Sequence, residues 1–259
     1  MSAPLLSIRD LSVRTCADRA ILEQISFDVP SSSIVGIVGG SGSGKTTLGL
    51  SLLRLLPGTM RMSAGSLFFE GEDLSGWSSA QMRNSRGRRI AMVFQEPLSA
   101  MDPVWTVGEQ ITETLRVHDG LRGKELRARV LGLLERVRIA DVERVFRSYP
   151  HELSGGLRQR AMIAQAIACR PSLLVADEPT SSLDVTIQAH IMQLFRDLRR
   201  ETGLSILLIS HDLGVVRHLA DRVVVLKGGR VVEQGDRAQV LSVPRAAYTR
   251  DLISAEGLA

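Results

Sequence analysis

In 259 residues the chain holds two cysteines, Cys16 and Cys169, far apart and without a CxxC pair or a Cys/His cluster. That scarcity argues against a disulfide framework and offers no ligand set for zinc or an iron–sulfur cluster. Aromatic residues are thin as well, at 4%. No basic stripe is interleaved with stacking rings, as it is in single-strand nucleic-acid binders, and no nucleic-acid partner is expected. Lysine is almost absent, standing only at positions 45, 124 and 227, so the net charge of +4 rests on arginine. Those arginines are mixed with acids, as where Arg83–Arg89 follows Glu70, Glu72 and Asp73, and the charge points to no particular partner. No apolar run approaches the roughly 18–20 residues of a membrane span. The opening Met1–Ser7 lacks the charged and long apolar regions of a secretory signal. A cytoplasmic chain is expected, with any membrane role supplied through a partner. Hydrophobic content of 44% and charged content of 23% suit one large globular domain or a domain with an insertion.

What is present is more informative. Gly39-Gly40-Ser41-Gly42-Ser43-Gly44-Lys45-Thr46 has the G-x-x-x-x-G-K-T spacing of a phosphate-binding loop. An apolar run, 34–38, precedes it and reads as a buried strand. Residues 47–56 follow, beginning at Thr47, apolar at helical spacing and stopped by Pro57-Gly58. The glycines let successive amides face one phosphate, and the helix N-terminus adds partial positive charge. Lys45 would reach the β- and γ-phosphates of a nucleotide, and the Thr46 hydroxyl would take Mg²⁺.

The rest of the chain supplies a setting for that loop. The first 35 or so residues alternate apolar and polar, as antiparallel strands with one wet face do. Further strands are expected at 65–71, 89–94, 172–176, 205–209, 222–226 and 230–233, with helices at 156–169 and 186–201. From Thr106 to Val145 the pattern is helical, with Val107, Ile111, Leu115, Leu126, Val130, Leu133, Leu134 and Val137 on the apolar face. Cys169 is expected inside the 156–169 helix, buried. Short buried runs alternating with helices imply an α/β fold with a largely parallel sheet.

Two more constellations narrow the chemistry. The strand at 172–176 ends in Asp177-Glu178, where an Asp can hold Mg²⁺ and the adjacent Glu can orient or deprotonate an attacking water. Ser154-Gly155-Gly156, followed by Leu157 and a helix, makes a second anion-binding helix N-terminus. One nucleotide does not need two such cradles from one chain. It can use two if the second comes from a partner.

With Gln95 after the 89–94 strand, Ser181-Ser182-Leu183-Asp184 after the acidic pair and His211 after the 205–209 strand, the chain resembles an ATP-binding-cassette (ABC) transporter ATPase over residues 5–255. The resemblance implies a P-loop NTPase with a RecA-like core, an N-terminal antiparallel β-subdomain and an inserted helical subdomain. The core would take about 5–94 and 163–255, and the helical subdomain about 95–162. It further implies Gln95 as the residue sensing Mg²⁺ and water, and Ser154–Leu157 as the signature gripping the γ-phosphate in a second ATPase subunit. Ser181–Asp184 would close across that dimer, and His211 would contact the γ-phosphate. His118, His151, His190 and His218 match no such motif.

Longer strings are similar to importers of peptides and nickel: Val93–Pro103, Tyr149–Arg160, Asp184–Ala189 and the tail Pro244–Leu252. The implied system is an inner-membrane importer whose ATPase sits peripherally on the cytoplasmic face. Two permease subunits and an extracytoplasmic solute-binding protein would complete it. An exporter or lipoprotein-release ATPase, or a soluble cassette of DNA repair or translation, is the alternative. Three departures stand out. The cysteine cluster of many relatives is missing, so no iron–sulfur cluster is expected. Leu157 replaces the commoner Gln or Met. Thr15-Cys16 occupies the place of an adenine-stacking aromatic.

Overall fold

The computed structural model describes residues 3–119, 122–181 and 183–256. They divide into two compact units, residues 1–83 with 199–259, and residues 84–198.

In the first unit, Leu6–Thr15 pairs antiparallel with Ala20–Val29, and Met60–Ser63 and Ser66–Phe69 also pair with Leu6–Thr15. The buried residues do not keep one phase: Leu6 and Ile8 face the core, then Leu11 and Val13. Asp10 and Gln24 explain the slip, since both take left-handed φ angles of 54° and 51°. Ile8 stands opposite Phe27, Leu11 opposite Ile25 and Val13 opposite Leu22. Between Ile8 and Val13 each strand therefore carries one extra residue and the two bulges compensate, and a further irregularity follows where Arg14 stands opposite Ala20.

The same unit holds a parallel group. Ile34–Val38 lies between Arg222–Lys227 and Ser205–Ile209, and Arg230–Asp236 pairs antiparallel with Arg222–Lys227. All five residues of Ile34–Val38 and of Ser205–Ile209 are buried, as strands covered on both faces must be. Asp221 holds the start of the central strand, its carboxylate accepting from the Ile34 amide at 2.8 Å and pairing with Arg199. Helix Leu213–Leu219 packs on the strand so closely that a Cβ on Gly36 would lie 2.5 Å from Val216 Cγ1.

The second unit has a parallel pair, Ile90–Val93 with Leu173–Asp177, and helices Val107–Asp119, Gly123–Arg136, Val142–Arg147 and Gly155–Ala166. Val107, Ile111, Leu115, Leu126, Val130, Leu133, Leu134 and Val137 are all buried, as the helical spacing requires. Arg160 is buried too, donating to the Val137 carbonyl at 2.7 Å where helix Gly123–Arg136 ends. Among the described residues no helix is long and apolar enough to cross a membrane.

Two expectations need correction. The helix expected over 47–56 runs Lys45–Leu52, because Arg54 turns to φ 49° and its guanidinium holds the Leu74, Ser75 and Trp77 carbonyls. Cys169 is half-buried in a turn, since helix Gly155–Ala166 stops short of it. Arg170 takes φ 54° and precedes Pro171, whose ring disfavours helical geometry at the residue before it.

The Gly36 contact is testable. Gly36→Ala should destabilise the chain by about 1–3 kcal/mol through overpacking against Val216, read as a lower melting temperature; an unchanged melt would show that the helix can move aside.

Candidate functional site

The phosphate-loop sequence leaves strand Ile34–Val38 and enters helix Lys45–Leu52. Gly44, at φ 97°, precedes the helix and makes no side-chain cap hydrogen bond to its first amides. A side chain there would be strained by that φ, and its Cβ would meet Leu22 Cδ2 at 2.6 Å. Lys45 is 7% exposed, and its ammonium donates to the Gly39 and Gly40 carbonyls at 2.8 and 3.1 Å. The Gly40 amide donates to the Tyr248 hydroxyl at 2.9 Å, and the Gly229 amide to the Ser43 carbonyl at 3.1 Å. Ser41, Gly42 and Thr46 are exposed, and Thr47 is half-buried.

His211 belongs to the same unit. Its strand, Ser205–Ile209, runs parallel beside Ile34–Val38 with Ile37 opposite Ile209, so the His211 loop and the phosphate loop leave the same sheet end. His211 is exposed. Asp212 caps the next helix, accepting from the Val215 amide at 3.1 Å, and the Glu256 carboxylate accepts from the Leu213 amide at 2.8 Å.

In the second unit Asp177 ends its strand 2% exposed, and Glu178 follows in the left-handed region at φ 45°. Val93 stands opposite Ala176, so Gln95 and Glu178 each lie two residues past a registered pair. They meet: Gln95 Nε2 donates to Glu178 Oε2 at 2.9 Å. Ser154 is the N-cap of helix Gly155–Ala166, accepting from the Leu157 amide at 3.4 Å. A Cβ on Gly155 would lie 3.5 Å from Leu183 Cδ2 and one on Gly156 2.9 Å from Ile187 Cγ2, which puts Gly155 beside Leu183 and Gly156 against the helix that follows. Gly156 and Leu157 are half-buried in the first turn of that helix. Ser181 is exposed and its hydroxyl donates to the Glu178 carbonyl. Asp184 caps the following helix by accepting from the Ile187 amide at 2.9 Å. Ser182 lies outside the described residues.

A family model described as "ABC transporter" matches residues 22–181. The chain belongs to that family. Within it, this ABC ATPase cassette is 47% identical over 257 residues to the peptidoglycan transport ATP-binding protein YejF of Agrobacterium fabrum. It is 42% identical over 260 residues to the glutathione import ATP-binding protein GsiA of Escherichia coli O157:H7. Those alignments take in 98% and 97% of the cassette but 47% and 42% of the two relatives, so it spans about half their length. Its fold matches the dimeric ATP-binding cassette MJ0796 in a post-hydrolysis state bound to ADP and phosphate. The TM-score is 0.79 at 27% identity, covering 90% of this chain and 98% of that one.

Glu256, Tyr248 and Lys227 escaped the sequence reading. Tyr248 lies in the family-like string 244–252, which carries no chemistry by spacing, and Lys227 and Glu256 lie outside it. Burial holds the Glu256 carboxyl above the usual carboxylate range; the Leu213 amide pulls the other way, Asp212 adds to the rise and His211 opposes it. A carboxyl with a raised native pKa binds its proton more tightly folded than unfolded. Its stabilising share is present below the unfolded value and is lost as pH rises through the native one. Glu256→Gln keeps an acceptor for Leu213 without the charge. It should melt like wild type below about pH 4 and higher than wild type once pH has risen past the native carboxyl's titration, checked by thermal melts across pH.

Proposed function

We propose that the cassette, spanning residues 5–255 with a helical subdomain at about 95–162, is the ATP-hydrolysing subunit of an importer for peptides or peptide-like solutes. One observation carries the solute class: identity across nearly the whole chain to proteins named for peptidoglycan transport and glutathione import. ATP phosphates would lie on Gly39–Thr47, with Lys45 as the cation and the helix amides as donors. Glu178 is assigned as the base that orients the attacking water, and the Gln95 contact supports that reading by holding its carboxylate. His211 would meet the γ-phosphate. Ser154–Leu157 and Ser181–Asp184 would act across a second cassette, whether the same or a related chain.

The donors proposed for Mg²⁺ are the Thr46 hydroxyl, the Asp177 carboxylate and the Gln95 amide oxygen. All are hard oxygens, which is the set this ion prefers. When bound it supplies neutralisation of phosphate charge.

The permease surface is assigned to the second unit, placing the cassette peripherally on the cytoplasmic face of the membrane. Leu98, Val104, Trp105 and Val117 are exposed apolar side chains, Val104 at 73%, on a unit whose other large apolar residues are mostly buried. A cavity of about 450 Å³ opens among Trp105, Gln110, Glu113, Val117 and His118. Two permeases and an extracytoplasmic solute-binding protein complete the proposed system.

Glu178→Gln should leave ATP binding intact and cut turnover by about 10²–10⁴-fold, measured as phosphate release and analogue binding; unchanged turnover removes Glu178 from this role. Trp105→Arg should reduce the permease co-purified with the chain by about tenfold or more without altering its thermal melt, and an undiminished yield would move the docking surface elsewhere.

A further inference from the structure

The peptide unit joining Gly39 to Gly40 is gripped on both sides. Its carbonyl accepts from the Lys45 ammonium at 2.8 Å, and its amide donates to the Tyr248 hydroxyl at 2.9 Å. A peptide unit is planar and rigid, so whatever fixes its N–H also fixes the direction of its C=O. Tyr248 is thus one rigid plane away from the ammonium.

Tyr248 is itself well held. It stands at the second residue of helix Ala247–Ala255. The amides just before that helix, Arg245 and Ala246, donate to the Glu233 carboxylate at 2.8 and 3.0 Å. Thr249 and Ile253 of the helix are buried, and Glu256 just beyond it takes the Leu213 amide. The Lys227 ammonium lies 4.5 Å from the Tyr248 ring centroid, within range of attraction to the ring face. The turn that carries Lys227 also reaches the phosphate loop, through the Gly229 amide on the Ser43 carbonyl.

We propose that Tyr248 is a positioning residue for the phosphate loop, setting the Gly39–Gly40 peptide plane and through it the Lys45 ammonium. A loop with glycine at 39, 40, 42 and 44 has large conformational freedom when unrestrained, and ligand binding must remove it. A fixed hydroxyl outside the loop removes part of that freedom beforehand, which strengthens binding without a contact to the ligand. The effect falls on nucleotide affinity rather than on the hydrolytic step, because Tyr248 holds the loop that receives the phosphates and not the group assigned to the water. The proposal rests on reading Gly39–Thr46 as the ATP phosphate site.

The test uses the full chain, with the hydrolysis-resistant analogue AMP-PNP for binding and ATP for turnover. Tyr248→Phe removes one oxygen and keeps the ring under Lys227. It should raise the Kd for AMP-PNP and the KM for ATP about threefold to tenfold, the worth of one hydrogen bond, with kcat within about twofold. Tyr248→Leu should raise Kd at least as much. Lys45→Ala examines the underlying reading separately: if it binds AMP-PNP like wild type, the phosphate site itself is misassigned and the proposal goes with it. If Lys45→Ala loses binding while Tyr248→Phe binds like wild type, the positioning role alone is overturned. A fall in kcat with unchanged Kd, or a lower melting temperature with unchanged Kd, overturns it equally, since each marks a role other than orienting the loop.

Discussion

Residue-level register between parallel strands is the constraint on which the site geometry depends. Ile37 stands opposite Ile209 in one unit, and Val93 opposite Ala176 in the other. Parallel neighbours end side by side, so a residue two places past each registered pair emerges beside its counterpart. Gly39 and His211 arise this way, and so do Gln95 and Glu178. A one-residue slip in either pair would leave the paired ends out of step and turn every side chain of the strand to the other face of the sheet. Asp221 contributes by fixing where the central strand begins.

Much of this was legible from the residues. Fully buried strands read as short apolar runs, and the helices of the second unit read from their spacing. The phosphate-loop spacing and the acidic pair at a strand end marked candidate residues without any coordinates. Less legible were features set by tertiary contact. The helix after the phosphate loop stops early because Arg54 is drawn to carbonyls twenty or so residues on, which no local pattern announces. Short helices such as Leu213–Leu219 and Ala247–Ala255 are too brief for a period to stand out. Tyr248 was invisible as a participant because its partner lies 208 residues away in sequence. The pairing of Gln95 with Glu178 needed the register as well as the motifs.

Several residues carry a structural duty beside their proposed functional one. Ser154 caps a helix, Asp184 caps another, and Lys45 braces its own loop. Truncating any of them removes both contributions at once, so loss of function in such a variant does not separate them. Helix caps are worth about 0.5–2 kcal/mol, enough to disturb local order near a ligand site. Substitutions that keep the cap while changing size or charge are the informative ones.

The scarcity of lysine gives the chain a chemical handle. Of its three lysines, Lys45 lies in the phosphate loop and Lys227 sits over the ring that braces it, leaving Lys124 on a separate helix. Acylating reagents that seek side-chain amines therefore have few places to go, and most of those report on one loop. Lys45 is buried and Lys227 exposed, so their labelling rates would differ without any engineering of the surface. Lys124, remote in sequence and exposed, serves as the internal standard against which both can be read.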